Sequence, residues 1–179
     1  MIDAKSRWIR RATRTVFESP WFRLQQDDLT LPAGEITYTF VDHGGYVVVV
    51  PLLADGRLVM EEVYRHTLGR SLIECPSGGL DGEDPLSAGR RELEEETGYV
   101  AGNWTALGTF AGSPGISNER FHVWLAEGVV SGGVVAREAT EEIEVQLVDF
   151  ETTCARALRG EIEDAPSALA LLLAQARRS

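Results

Sequence analysis

Residues 74–99 read Glu74-Cys75-Pro76-Ser77-Gly78-Gly79-Leu80-Asp81-Gly82-Glu83-Asp84-Pro85-Leu86-Ser87-Ala88-Gly89-Arg90-Arg91-Glu92-Leu93-Glu94-Glu95-Glu96-Thr97-Gly98-Tyr99. The first half is a glycine-rich loop. The second half predicts a short helix with marked ends. Asp84 can accept hydrogen bonds from the first turn, Pro85 suits the first helical position, and Gly98 can take the left-handed conformation that ends a helix. At 3.6 residues per turn Leu86, Leu93 and Thr97 share an apolar edge, and Glu92, Glu95 and Glu96 share another.

That acidic edge is costly when bare. Like charges three and four residues apart repel, and the carboxyl end of a helix disfavours anions. Hard cations, which prefer carboxylate and carbonyl oxygens, would turn the repulsion into a binding site. A solvated acidic face is the plainer alternative, and the glycine loop placed just before the helix weighs against it.

With those residues in view, the stretch resembles the signature of the Nudix hydrolases, G-x5-E-x7-R-E-U-x-E-E-x-G-U, where U is a bulky apolar residue. Glu83, Arg91-Glu92-Leu93, Glu95-Glu96 and Gly98-Tyr99 match in spacing. The place of the first glycine holds Ser77, and the nearest glycine is Gly78, so either the loop is one residue shorter or serine replaces glycine. The resemblance implies an α/β/α sandwich around a mixed sheet. It also implies magnesium, with manganese as an alternative, held by Glu92, Glu95, Glu96 and the Ser77 carbonyl. Glu83 and Arg91 look like a structural ion pair, and Glu94 is expected to face solvent.

The subclass is suggested by Ser113-Pro114-Gly115-Ile116-Ser117-Asn118-Glu119-Arg120, with Pro114 sixteen residues after Gly98. The run is similar to the ADP-ribose pyrophosphatase branch, as is Val63-Tyr64-Arg65 ahead of Glu74-Cys75-Pro76. This implies hydrolysis of ADP-ribose or a related nucleoside diphosphate sugar to AMP and a sugar phosphate. GDP-mannose, a dinucleoside polyphosphate, or a nucleotide-binding regulator without turnover are the alternatives. Arg65 is expected to grip a phosphate, as the planar guanidinium fork can, against the alternative of a surface salt bridge. Glu74, Pro114 and Glu119 join it as candidate substrate contacts. Trp21 and Tyr38 match aromatic positions that stack on adenine in similar proteins, against the alternative of core packing. Glu141 and Glu142 occupy the place of the branch's water-activating glutamate, Glu141 being favoured; Glu95 is the third catalytic candidate. His43, His66 and His122 match no family position.

Length and charge set bounds. A chain of 179 residues can bury one real core. With 44% hydrophobic and 25% charged residues it reads as soluble and globular. A net charge of -11 argues against nucleic acid and anionic membranes as partners. No apolar run is long enough to span a bilayer, and no secretory signal is evident. Two cysteines make neither a disulfide framework nor a zinc site, so a cytoplasmic protein with reduced thiols is expected; Cys75 reads as inert.

In chain order, residues 1–12 are basic and expected to be loosely ordered. Residues 14–40 alternate as strands around a turn at Pro32-Ala33-Gly34-Glu35. This gives a division into a small antiparallel extension, 1–43, and a main domain, 44–179; the resemblance to the ADP-ribose pyrophosphatase branch implies that the extension is a homodimerisation element. Tyr46 to Leu53 is a buried strand that turns at Asp55-Gly56 into a partner. Residues 71–74 lead into the glycine loop; further strands are expected at 104–110, 121–126 and 143–148, with a loop over 127–141 in which the Gly132-Gly133 stretch looks mobile. A helix over 150–158 should stop at Gly160. A last helix from about Asp164 should bury Leu169, Leu172, Leu173 and Ala176 on one stripe.

Overall fold

The computed structural model describes residues 7–137 and 142–178. They fall into two compact units. One comprises residues up to 44 together with 111–120; the other comprises 45–110 and 121 onward.

The first unit is an antiparallel sheet of three strands, β1 (Ile9–Glu18), β2 (Arg23–Leu31) and β3 (Gly34–Asp42), in that order. β1 starts earlier than the basic composition suggested. Its arginines are held across the sheet rather than left in solution: Arg14 meets Asp28 at 2.7 Å and Arg11 donates to Thr30 at 3.1 Å. Cross-strand pairs of this kind stabilise a sheet that buries little. Every residue of β1 is exposed.

The second unit is built on an eight-stranded mixed sheet. Its central strand β4 (Tyr46–Leu53) runs parallel to β10 (Arg120–Ser131). On the other side β5 (Arg57–Arg65) is antiparallel to β4 and to β11 (Ile143–Asp149). β6 (Arg70–Glu74) pairs with β5, β7 (Ser77–Gly79) with β4, and β8 (Tyr99–Val100) and β9 (Asn103–Ala111) with β10. The unbroken buried run from Val47 to Leu52 follows from this central place, because both faces of β4 are covered. Val47 and Val49 pack with Ala88 and Leu93 of α1 (Pro85–Thr97). Val48 and Val50 pack with Phe150 and Cys154 of α2 (Phe150–Leu158) and with Ala170, Leu171 and Ala174 of α3 (Ala165–Arg178).

Three sequence expectations are corrected here. α3 buries Ser167, Ala170, Leu171 and Ala174, whereas Ala176 is exposed and Leu169, Leu172 and Leu173 are only partly buried. Small residues face inward because the helix lies close to the sheet: the Ser167 hydroxyl accepts the Cys75 N–H at 2.8 Å. β10 continues to Ser131, so the loop expected from residue 127 is shorter. The Gly132-Gly133 stretch, expected to be mobile, donates both its N–H groups to the Gly98 carbonyl, at 3.2 and 3.0 Å.

Candidate active site

α1 is positioned by its ends. Asp84 accepts the N–H groups of Leu86 and Ser87, both at 3.1 Å, and Gly98 at φ 73° donates to the Glu94 carbonyl at 2.8 Å. Leu93, Ala88 and Thr97 are buried, which turns Glu92 and Glu96 inward with them. Each is only 6% exposed, so the acidic edge is no solvated face. Two buried carboxylates one turn apart are expensive unless something compensates them.

Part of the compensation comes from β7. The Ser77 N–H donates to Glu96 at 2.9 Å. Gly78 lies so near α1 that a Cβ there would fall 2.1 Å from the Glu92 carboxylate. Gly78 is therefore the glycine that the helix approaches, and Ser77 precedes it. More comes from Arg91, whose guanidinium donates to Glu83 at 3.1 Å, Glu92 at 2.8 Å, Glu95 at 3.2 Å, Asp81 at 3.3 Å and the Gly79 carbonyl at 2.8 Å. Burial alone would lower the Arg91 pKa; the carboxylates of Glu92, Glu83 and Glu95 outweigh it and hold the group charged. The expected Glu83–Arg91 pair is thus one contact of a larger hub.

One guanidinium among so many carboxylates leaves negative charge in excess. Among the described residues no three acidic, histidine or cysteine side chains converge tightly enough to enclose an ion as they stand, since Arg91 stands between Glu92 and Glu95. The donor chemistry nevertheless suits a hard dication: Glu92, Glu95 and Glu96 are carboxylates on one side of one helix, and the main chain of Ser77 lies against Glu96.

Glu94 is partly buried rather than fully solvated. It accepts the Val134 N–H at 3.1 Å, and Gly133 packs against its side chain. Ala136 donates to the Glu95 carbonyl at 2.9 Å, and Arg137 donates to the carbonyls of Glu96 and Ile143, each at 2.8 Å. Residues 132–137 thereby satisfy the carbonyls that the end of α1 leaves open.

Arg65 makes a two-pronged pair with Glu74, at 2.8 and 2.5 Å. Glu74 is buried and Arg65 is half-exposed, and the Glu74 hydrogen bonds hold the Arg65 pKa raised. Glu61, almost fully buried, lies opposite Glu74 in the sheet register. Glu142 is exposed, and its carbonyl accepts the Tyr64 N–H at 3.2 Å; Glu141 lies outside the described residues. Cys75 is fully buried with its thiol pKa pushed up by burial, as an inert thiol should be.

The remaining candidates belong to the other unit. Trp21 is 66% exposed, which excludes a core role for it in this chain. Tyr38 is partly buried, meets the Trp8 ring edge-on at 6.2 Å and donates its hydroxyl to the Gly115 carbonyl at 2.8 Å. Pro114 is exposed, and Glu119 lies 3.5 Å from His43. The sequence reading passed over Arg137, Glu61 and the Asp42–Asn118 pair. The only signals were a carboxylate inside an apolar strand at Glu61 and an unassigned asparagine within the quoted run.

Comparison with known proteins settles the family. A model of the NUDIX domain matches residues 42–171. The chain belongs to the Nudix family. It is 34% identical to an ADP-ribose pyrophosphatase of Bacillus subtilis, over 94% of this chain and 92% of that one. It is 36% identical to an ADP-ribose pyrophosphatase of Mycobacterium tuberculosis, over 84% and 75%. A methanol dehydrogenase activator of Bacillus methanolicus is 40% identical over 65% of this chain, and the match spans only 64% of that activator. A solved structure, the crystal structure of an ADP compounds hydrolase, superposes with a TM-score of 0.80 at 19% identity, over 95% of this chain and 93% of that one; this likeness shows the Nudix fold. Nudix hydrolases typically act with a divalent metal on nucleoside diphosphate derivatives. No described helix is long and apolar enough to cross a membrane.

Proposed function

We propose that this Nudix hydrolase splits ADP-ribose, or a closely related nucleoside diphosphate sugar, into AMP and a sugar phosphate, with magnesium as its metal and manganese as a substitute. The observation that carries the reading is the burial of Glu92 and Glu96 against Ser77 and Gly78, with excess negative charge around one arginine. The two near-full-length pyrophosphatase relatives support the substrate.

In this reading Glu92, Glu95, Glu96 and the Ser77 carbonyl hold the metal. A divalent ion held there would supply neutralisation of the phosphate oxygens and a lowered pKa for the attacking water. Arg65, pre-oriented by Glu74, grips a phosphate with its exposed side. Trp21 and Tyr38 offer aromatic faces to adenine, and Pro114 and Glu119 shape the site for the rest of the substrate. Water adds to one phosphorus, the bridging P–O bond breaks toward the other phosphate, and a carboxylate takes the water proton. Glu142, Glu141 and Glu95 are the candidates for that base. Residues 1–43 form an extension to a catalytic domain of 44–179. The exposed Ile9, Val16 and Phe17 of β1 suit burial by a second copy, giving a homodimer. We place the protein in the cytoplasm, with no nucleic acid or membrane partner.

A second reading is a regulator that binds nucleotide without cleaving it; one relative is named as an activator of another enzyme, a regulatory role. AMP release from ADP-ribose at saturating magnesium separates the two. Turnover by the wild type, falling about a hundredfold or more in Glu96→Gln, is expected. Binding of ADP-ribose with no AMP formed would establish the regulator instead. A panel with GDP-mannose and dinucleoside polyphosphates ranks the substrates.

A further inference from the structure

The run that marks the subclass is carried by the N-terminal sheet. Residues 111–120 cluster with that sheet as one unit. Ile116 and Ser117 turn back on the Ser113 carbonyl, at 3.0 and 2.9 Å. Val41 donates its N–H to the Ile116 carbonyl at 2.8 Å and accepts the Asn118 N–H at 3.2 Å, so Val41 and Ser117 pair as a parallel bridge.

Asn118 is the rivet. Besides its main-chain bond, its side chain donates to Asp42 at 2.5 Å and accepts the His43 N–H at 3.0 Å. Asp42 is in turn held on its other oxygen by Arg23, at 3.1 and 2.7 Å. Both strands that flank the attachment, β2 and β3, therefore feed one asparagine. Neither Asn118 nor Asp42 is needed for the chemistry described above.

We propose that Asn118 and Asp42, backed by Arg23, are positioning residues for substrate selection. They fix Pro114 and Glu119 in place before substrate arrives. The inference rests on the proposed function, in which those two residues touch substrate. The physical reason is preorganisation. A loop without its own secondary structure loses conformational freedom when it is ordered. If the sheet has already ordered it, substrate binding does not bear that cost. Loosening the rivet should therefore weaken substrate binding and leave the chemical step alone.

The test exchanges donor and acceptor. Asn118→Asp sets two carboxylates against each other and should raise KM about tenfold, with kcat held within about twofold. Adding Asp42→Asn restores the bonds that centre on position 118: the new amide can donate to the carboxylate at position 118 and accept from Arg23 on its oxygen, and that carboxylate still accepts the His43 N–H. The double variant should return KM to within about threefold of wild type, a rescue that generic loss of structure cannot give. Should Asn118→Asp fail to fold, the double variant and Asn118→Ala decide, the former near wild type and the latter with KM raised about threefold. KM unchanged in the folded single variants, no rescue in the double variant, or a fall in kcat at constant KM each overturns the proposal. Wild-type AMP release is measured first, and its absence overturns the proposed activity. The same variants are then compared by calorimetric Kd for ADP-ribose, so the positioning role is judged separately.

Discussion

The two units handle charge in opposite ways. In the N-terminal sheet acids meet their own arginines near the surface: Arg10 lies 3.7 Å from Asp27, Arg14 2.7 Å from Asp28 and Arg23 2.7 Å from Asp42. On α1 a single guanidinium serves Glu83, Glu92, Glu95 and Asp81, while Glu92 and Glu96 are buried. Local pairing at the surface is a way to hold a thin sheet together, and its individual bonds are weak. Excess charge taken out of water is tolerated where a ligand can answer it. The difference separates acids paired locally in a sheet from the acids to which the proposed function gives the metal-holding role.

The sharpest way to break that contrast is Gly78→Ala. The added methyl would meet the Glu92 carboxylate, the far end of a flexible side chain, at 2.1 to 2.4 Å. The carboxylate can swing away, so the fold should survive while the placement of Glu92 that the proposed metal site requires does not. AMP release should fall about a hundredfold, with the thermal midpoint lowered by only a few degrees, roughly. Unchanged release would show that the close approach of β7 to α1 has no catalytic purpose.

A matched pair sharpens the contrast further. Arg91→Lys removes the fork that spans several carboxylates, and lysine's single ammonium cannot replace it. A loss of about 1–3 kcal/mol in urea unfolding is expected, with a several-fold drop in turnover. Arg14→Lys changes the same group in the exposed sheet and should cost less than about 1 kcal/mol, with turnover intact. Equal costs in the two places would dissolve the distinction.

The pair also shows what could be read from the chain. α1 was legible at both ends, because Asp84, Pro85 and Gly98 each act through local backbone geometry. The central strand was legible because burial on both faces leaves an unbroken apolar run. Contacts made at a distance were not. α3 was misjudged because its largest side chains looked like its core, whereas Ser167, Ala170 and Ala174 allow the helix close to the sheet. The burial of Glu92 and Glu96 depends on Gly78, fourteen and eighteen residues away. Residues 132–137 looked loose because their partners are carbonyls of α1, and a main-chain acceptor carries no mark in a sequence. Asn118 was quoted within its run yet unassigned, since its partners Asp42 and His43 come from another strand.

The smallest expected effect concerns acid. Asp42 has a lowered pKa, chiefly from the Asn118 hydrogen bond and also from Arg23, while burial opposes both. A depressed carboxylate adds stability that is present above its unfolded pKa and fades as pH falls through the folded one. Asn118→Ala removes the leading cause, so the Asp42 midpoint should rise and the acid loss should begin at higher pH. Asp84 and Asp149, lowered by Ser87 and Thr152 at the helix starts of the other unit, should keep their midpoints. A carboxyl-carbon NMR titration follows all three groups in one experiment. A midpoint for Asp42 that stays put would mean that Arg23 and Gln25 set it, and that the asparagine holds the loop through its main-chain bonds. A rise confined to Asp42 would place the coupling of loop and sheet at this one side chain, where charge in the N-terminal unit is matched pair by pair.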